Sequence, residues 1–301
     1  MSTPNDPRRE HPSTYFVQDR SNVDELTRVA IQDQIITTGM GGVLPEQPDP
    51  TRFQRVLDVG CGTGGWLIET ARTYPTMSLL VGVDVNSKMI EYAQAQAESQ
   101  QVNDRVQFRA MDALRMLEFS ADFFDLVNLR FGMSFLRKWD WPKLLHEFQR
   151  VTRPGGVMRI TESEMLIQST STALTQLYQI ALNAAYQAGL FFTPTSDGVT
   201  SQLAQLLHQY GLQDVQTRAH TLEYRAGTAL GQGFYEDMSR TFRSALPFYR
   251  KWTSVPDNYE EIYQQALSEM QQPDFVATWS LLTAWGIKPR KKVHSAPNLA
   301  E

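Results

Sequence analysis

Between residues 55 and 163 the chain alternates short apolar runs with helix-patterned segments, and this alternation constrains the fold more than any other feature. The run Val56–Val59 breaks into glycines and is followed by Leu67, Ile68 and Ala71 at helical spacing. Leu79–Val85 reads as a buried strand, after which Asn86 or Ser87 is placed to cap a helix that buries Met89, Ile90, Ala93 and Ala97. RVQFRAMDA alternates with period two at Val106, Phe108 and Ala110, and FFDLVNLRF is a further buried strand. A helix over Trp141–Val151 stops near Pro154, and Gly155 and Gly156 turn the chain into Val157–Thr161. Strands that are apolar on both faces and separated by helices imply parallel βαβ units, hence a doubly wound α/β sheet.

The flanks read differently. Leu26, Val29, Ala30, Ile35 and Ile36 recur at near-helical spacing, predicting an amphipathic lid helix over Val23–Thr37. Residues 1–12 carry no periodic apolar face and are expected to be disordered, with lid helices over 13–50 and the sheet core over 51–165. Beyond it, 166–275 is read as a helical cap over the substrate. Its helices fall near 170–189, 201–210, 229–250 and 257–271, and its strand at 213–225. A final strand at 276–288 returns to the sheet, and 289–301 is a flexible tail. Length leaves room for one large core plus a modest cap.

Composition removes several classes of function. A formal net charge of -5 offers no overall basic field, and the only dense basic cluster is Lys288, Arg290, Lys291 and Lys292, so nucleic acid is not an expected partner. Cys61 is the single cysteine, which excludes an internal disulfide and a multi-cysteine metal site; no metal is expected. No stretch has the length and apolarity of a membrane span or a secretory h-region, so the expectation is a cytoplasmic protein without membrane insertion, monomeric or homodimeric.

The chemistry is carried by glycines and acids at strand ends. Gly60, Gly62 and Gly65 satisfy G-x-G-x-x-G, a pattern that suits a nicotinamide dinucleotide equally well. Asp58 discriminates: a carboxylate two residues before the first glycine repels a pyrophosphate and suits an amino-acid ammonium or the loop amides. Asp84, at the end of the next strand, is placed to accept both ribose hydroxyls. Asp112, after the strand beginning at Val106, can accept from an adenine amine while Met111 and Ala113 flank the ring. The ligand so described is a nucleoside joined to an amino acid.

VLDVGCGTGGW resembles the first motif of class I S-adenosylmethionine-dependent methyltransferases, GVDVNSKMIEYA the second, and MDA the adenine-binding turn. The segment from DLVNLRFGMSFL to RPGGVMRITE is similar to the type 11 group, which includes the menaquinone and ubiquinone C-methyltransferases. The resemblance covers about residues 53–163, with weaker likeness in TYFVQDRSNVDELTRVAIQDQ to a lid helix. It implies a mostly parallel, Rossmann-like, seven-stranded sheet with an N-terminal lid helix and a helical cap insertion, and S-adenosyl-L-methionine as cofactor, with S-adenosyl-L-homocysteine as product. It also implies cofactor roles for Asp58, Gly60, Cys61, Gly62, Asp84, Val85, Met111, Asp112 and Ala113. Arg130 stands where related enzymes commonly carry a small residue near the methionine moiety, so it contacts the cofactor, faces the substrate or pairs with an acid.

Methyl transfer is an in-line displacement that gains mostly from alignment and exclusion of water, so a strong base is optional. Related O-methyltransferases often carry a histidine after the fourth strand, but Met133, Ser134, Phe135 and Leu136 stand here. Glu162, just past the fifth strand, and Tyr15 are the candidate catalytic groups. Met133, Tyr186, Phe191 and Phe192 are expected to line the acceptor site, the two phenylalanines because they lie in a loop with Gly189, Pro194 and Gly198. The expected acceptor is a small, largely apolar metabolite, aromatic, polyketide-like or quinone-like. A peptide or protein methyltransferase and a non-catalytic cofactor-binding module remain the alternatives, with a nicotinamide oxidoreductase more distant.

Overall fold

Apolar runs become strands in register wherever they can be covered on both sides, and five of them here align in parallel. The structure, a computed structural model, describes residues 23–290. The strands are β1 (Arg55–Val59), β2 (Leu79–Asp84), β3 (Val106–Ala110), β4 (Phe124–Arg130) and β5 (Thr152–Ser163). Between them run α2 (Gly65–Thr73), α3 (Ser87–Ser99) and α4 (Trp141–Val151), preceded by α1 (Val23–Gly39). Asn86 caps α3 as expected, its side chain accepting from the Lys88 amide.

Alternation along the strands divides the core between two layers. Val56, Leu80, Leu126 and Val157 pack on Trp66, Leu67, Ile90 and Ala93 of α2 and α3. Leu57, Val81, Val127 and Met158 face the opposite way, onto Leu144, Leu145 and Phe148 of α4 and the apolar side of the C-terminal helices.

After Ser163 come β6 (Gln168–Ser169), α5 (Thr172–Gln187), α6 (Leu203–Gln209), β7 (Gln213–Arg225), α7 (Ala229–Ser244), α8 (Leu246–Trp252), α9 (Tyr259–Glu269) and β8 (Val276–Ile287). The sheet runs β3-β2-β1-β4-β5-β8-β6, with β7 also paired to β8. The mostly parallel sheet expected from sequence is therefore present, with an eighth strand of two residues added to the seven. Residues 213–225, read as a strand of the cap, belong instead to the main sheet, pairing antiparallel with β8 from Gln213↔Ile287 to Arg225↔Val276. The single helix expected over 229–250 is two, broken at Ala245. Pro247 in the first turn of α8 has no amide to continue the α7 ladder. Tyr15 and the expected disordered 1–12 lie outside the described residues, as does most of 289–301. Lys288, one of the basic cluster, is engaged by Asp122 Oδ1 at 2.7 Å and by the carbonyls of Gln149 and Thr152 at 2.6 and 2.8 Å.

Candidate functional site

The carboxyl ends of β3, β2, β1 and β4 form one rim because these strands are consecutive neighbours in the sheet. At its centre the chain leaves β1 and folds back on β2: the amides of Gly60 and Cys61 both donate to the Val83 carbonyl, at 2.8 and 3.0 Å. Gly60 and Gly62 turn through φ +68° and +52°, which only glycine adopts without strain, and this brings bare backbone to the rim. A Cβ at Gly60 would come within 3.2 Å of the Phe135 ring.

Asp84 ends β2 beside this loop. One carboxylate oxygen accepts from the Gly62 amide at 3.1 Å and the other from Asn86 at 2.8 Å, while its carbonyl accepts from Met111 at 2.8 Å. Asp112 follows β3, accepts from the Leu114 amide at 2.9 Å and pairs with Arg115 at 3.3 Å. Val85 projects from the rim with 58% of its surface exposed, and Met111 and Ala113 are half-buried beside it. Burial and the charges of Asp84 and Asp58 push the Cys61 thiol well above its usual range, so it is a neutral thiol here.

Asp58 is buried and sits in a polar row that crosses the sheet. Asn128, its register partner on β4, donates to Asp58 Oδ1 at 2.8 Å and accepts from Arg159 Nη1 at 2.7 Å; Arg159 in turn pairs with Glu46 at 2.8 Å. Burial pushes the Asp58 carboxyl up to about 7, with the Asp33 charge acting in the same direction and Arg130, Asn128 and Arg159 opposing it. None of Asn128, Arg159 or Glu46 was singled out from sequence. A signal existed, since an arginine and an asparagine inside apolar strands must find buried partners.

Arg130 ends β4 and reaches α1, pairing with Asp33 and donating to Thr37 Oγ1 at 3.3 Å. Of the three sequence-level options for Arg130, pairing with an acid is the contact observed. Helix α1 thereby lies across the rim: a Cβ added at Gly62 would meet Val29 at 3.2 Å, and one at Gly65 would run into the Asp33 carboxylate.

Beyond Arg130 the chain bends sharply at Phe131, φ +56°, whose ring stacks on Trp279 of β8 with centroids 5.9 Å apart. Trp279 is fixed by its indole N–H, which donates to the Glu164 carbonyl at 2.9 Å. Below this pair, Glu162 is fully buried and its carboxylate oxygens accept from the Met133 amide at 3.3 and 3.2 Å. Burial pushes Glu162 up to about 8, against the hydrogen bonds from Met133 and Gly132. Burial thus favours the protonated form of this candidate catalytic group, whose carboxyl oxygens hold the 131–135 turn through the Met133 amide.

The expected acceptor-lining residues separate. Met133 is buried at the turn, its sulfur 3.9 Å from Ser163 Oγ. Tyr186 and Phe192 are half-buried, Phe192 lying 6.5 Å from the Trp141 ring. Phe191 has no exposed surface. It fills the space left by Gly198, where a Cβ would approach its ring to 2.9 Å, and the loop closes through the Phe192 amide to the Gly198 carbonyl at 3.1 Å. Phe191 is thus corrected from pocket lining to loop packing.

Residues 56–156 match the family model described as a methyltransferase domain. The chain is 32% identical over 170 residues to the demethylmenaquinone methyltransferase of Lactiplantibacillus plantarum, an alignment covering 53% of this chain and 70% of that relative. The chain belongs to the S-adenosylmethionine-dependent methyltransferases. The fold of this methyltransferase also matches that of phosphoethanolamine N-methyltransferase 2 of Haemonchus contortus, solved with S-adenosylhomocysteine, at TM-score 0.54 and 20% identity over 91% of this chain and 60% of that one. It matches YcgJ of Bacillus subtilis at TM-score 0.51 and 17% identity, over 87% and 99% of the two chains.

The cofactor of the methyltransferase is S-adenosyl-L-methionine, and the rim suits it. Two glycines at positive φ present bare backbone, two acids at successive strand ends offer acceptors to a nucleoside, and an arginine stands beside them. Among the described residues no cluster of His, Cys, Asp and Glu is arranged to hold a metal ion, and no helix is long and apolar enough to cross a membrane.

Proposed function

We propose that this methyltransferase moves the methyl group of S-adenosylmethionine onto a small, largely apolar acceptor bearing an aromatic, polyketide-like or quinone-like ring. The observation that carries this reading is the stack of Phe131, just past the carboxyl end of β4, on Trp279, near the amino end of the antiparallel β8, a flat apolar wall directly after Arg130 on the rim. The relative named for demethylmenaquinone methylation supports a ring-bearing acceptor.

In this reading Asp84 accepts from the ribose hydroxyls, Asp112 from the adenine amine with Val85, Met111 and Ala113 along the ring, and the Gly60–Gly62 backbone follows the amino-acid end. Asp58 shapes the loop from below. When bound, the cofactor supplies an electrophilic methyl group on a sulfonium sulfur. The chain's own contribution is alignment and dryness: Glu162 pins the 131–135 turn through the Met133 amide, Trp279 orients Phe131, and α1 closes the rim against water. Met133, Tyr186 and Phe192 are proposed to border the acceptor.

A polypeptide acceptor needs an open groove, whereas α1 lies across the rim with Val29 against Gly62 and Asp33 against Gly65, which favours the small acceptor. The test is a mass-spectrometric screen of labelled methyl transfer to naphthoquinols, phenols and short peptides. Transfer to a ring acceptor, lowered at least tenfold in kcat/KM by Trp279→Ala, supports the reading; transfer to peptides alone overturns it.

A further inference from the structure

Helix α1 carries two working faces. On one, Arg28 Nη1 meets Asp237 Oδ1 of α7 at 3.2 Å and Gln32 Nε2 meets Asp237 Oδ2 at 3.2 Å. On the other, Val29, Asp33 and Thr37 follow one another at i, i+4 spacing over the glycine loop and Arg130. The helix is thus moored to α7 by its outer residues while its inner carboxylate reaches the cofactor rim.

That carboxylate occupies a defined position. Asp33 pairs with Arg130, and both side chains are mostly withdrawn from solvent, 15% and 12% exposed. The Arg130 guanidinium is further held over the Trp66 ring at 5.7 Å. Asp33 also abuts Gly65, the first residue of α2, whose free amides favour negative charge. A protein carboxylate therefore sits between an arginine and the glycine loop, at the end of the rim away from Asp84 and Asp112.

S-adenosylmethionine has a single anionic group, the carboxylate of its amino-acid end; its ammonium and sulfonium are cationic. We propose that Arg130 receives that carboxylate and that Asp33 holds the same position as an internal competitor, displaced when the cofactor binds. Occupancy of the cofactor site is then coupled to release of the inner face of α1, because two carboxylates cannot share one guanidinium without mutual repulsion. The helix itself stays over the rim, moored to Asp237 of α7 through Arg28 and Gln32, so what is displaced is the Asp33 side chain. The inference goes beyond the acceptor reading and does not depend on which acceptor is used.

Isothermal titration with two probes tests it: S-adenosylhomocysteine, and 5′-methylthioadenosine, which has the same nucleoside thioether without the amino-acid end. Asp33→Asn is expected to raise affinity for S-adenosylhomocysteine about fivefold and leave methylthioadenosine unchanged, as loss of one partly exposed ionic competitor implies. Arg130→Gln is expected to collapse the preference for S-adenosylhomocysteine over methylthioadenosine, and Arg130→Lys to retain part of it. Equal changes for both probes in Asp33→Asn, which mark a merely loosened helix, overturn the proposal, as does an unaltered preference in Arg130→Gln. Wild-type protein that binds neither probe would overturn the cofactor assignment itself, an outcome distinct from tight binding with no effect of Asp33.

Discussion

Arg159 on β5 and Glu46, in the segment after α1, form an ion pair at 2.8 Å in which neither side chain exposes any surface. Arg159 also donates to Asn128, which donates to Asp58, so the pair supports the motif acid from behind. The pair holds the Glu46 carboxyl below the usual carboxylate range despite burial.

Replacing one partner of such a pair leaves an uncompensated buried charge. Arg159→Met should destabilise the protein by about 3 to 5 kcal/mol, and Arg159→Met combined with Glu46→Gln by clearly less than the sum of the two single changes. Urea denaturation of the four proteins in this cycle measures both. Strict additivity would show that Arg159 and Glu46 are not coupled.

Asp84 is tied to the glycine loop, the Gly62 amide donating to one of its oxygens, and is proposed to hold the ribose. Asp84→Ala removes two acceptors for ligand hydroxyls and should weaken S-adenosylhomocysteine about tenfold to a hundredfold, with the far-ultraviolet circular dichroism spectrum retained. Unchanged affinity would remove Asp84 from the cofactor site.

The legible part of this site was the local part. Asp58, Gly60, Gly62 and Asp84 lie within strand–turn–helix units whose geometry follows from a short stretch of chain, and the structure brings them to one rim. What could not be read were pairings set by packing between distant segments. Asp33 meets Arg130 across 97 positions, and Glu46 meets Arg159 across 113. Such partners depend on how α1 crosses the rim, which no local pattern encodes. Phe191 failed for the converse reason: an aromatic in a glycine-containing loop reads as pocket lining until the space beside Gly198 is seen to be its seat. The β7 strand was legible as a strand but not as a neighbour of β8, because pairing partners in an antiparallel edge are chosen by topology rather than by sequence periodicity.

Gly64 caps α2 from the left-handed region, φ +77°, and a Cβ there would lie 2.5 Å from Phe108 and 2.9 Å from Ala93. Gly64→Ala combines backbone strain with overpacking and should cost about 2 to 4 kcal/mol. Thermal unfolding measures it. The paired change Phe108→Leu should recover part of the loss, because the clash is with the far edge of that ring.

Glu162 gives the fold a pH dependence of definite sign. Its carboxyl is raised from 4.5 in the unfolded chain to about 8 in the fully buried site, so between those values the folded state binds more protons than the unfolded one. The contribution of this group to stability is fully present below about pH 4.5 and is lost as pH rises through 8, by about 1.4 kcal/mol for each unit traversed. Glu162→Gln keeps an acceptor for the Met133 amide but cannot ionise, so it should match or fall slightly below the wild type at pH 5.5 and exceed it by a few kcal/mol at pH 8.5. Denaturant midpoints at the two pH values read this directly. A Glu162→Gln protein whose stability falls between pH 5.5 and 8.5 as steeply as the wild type's would show that another group titrates.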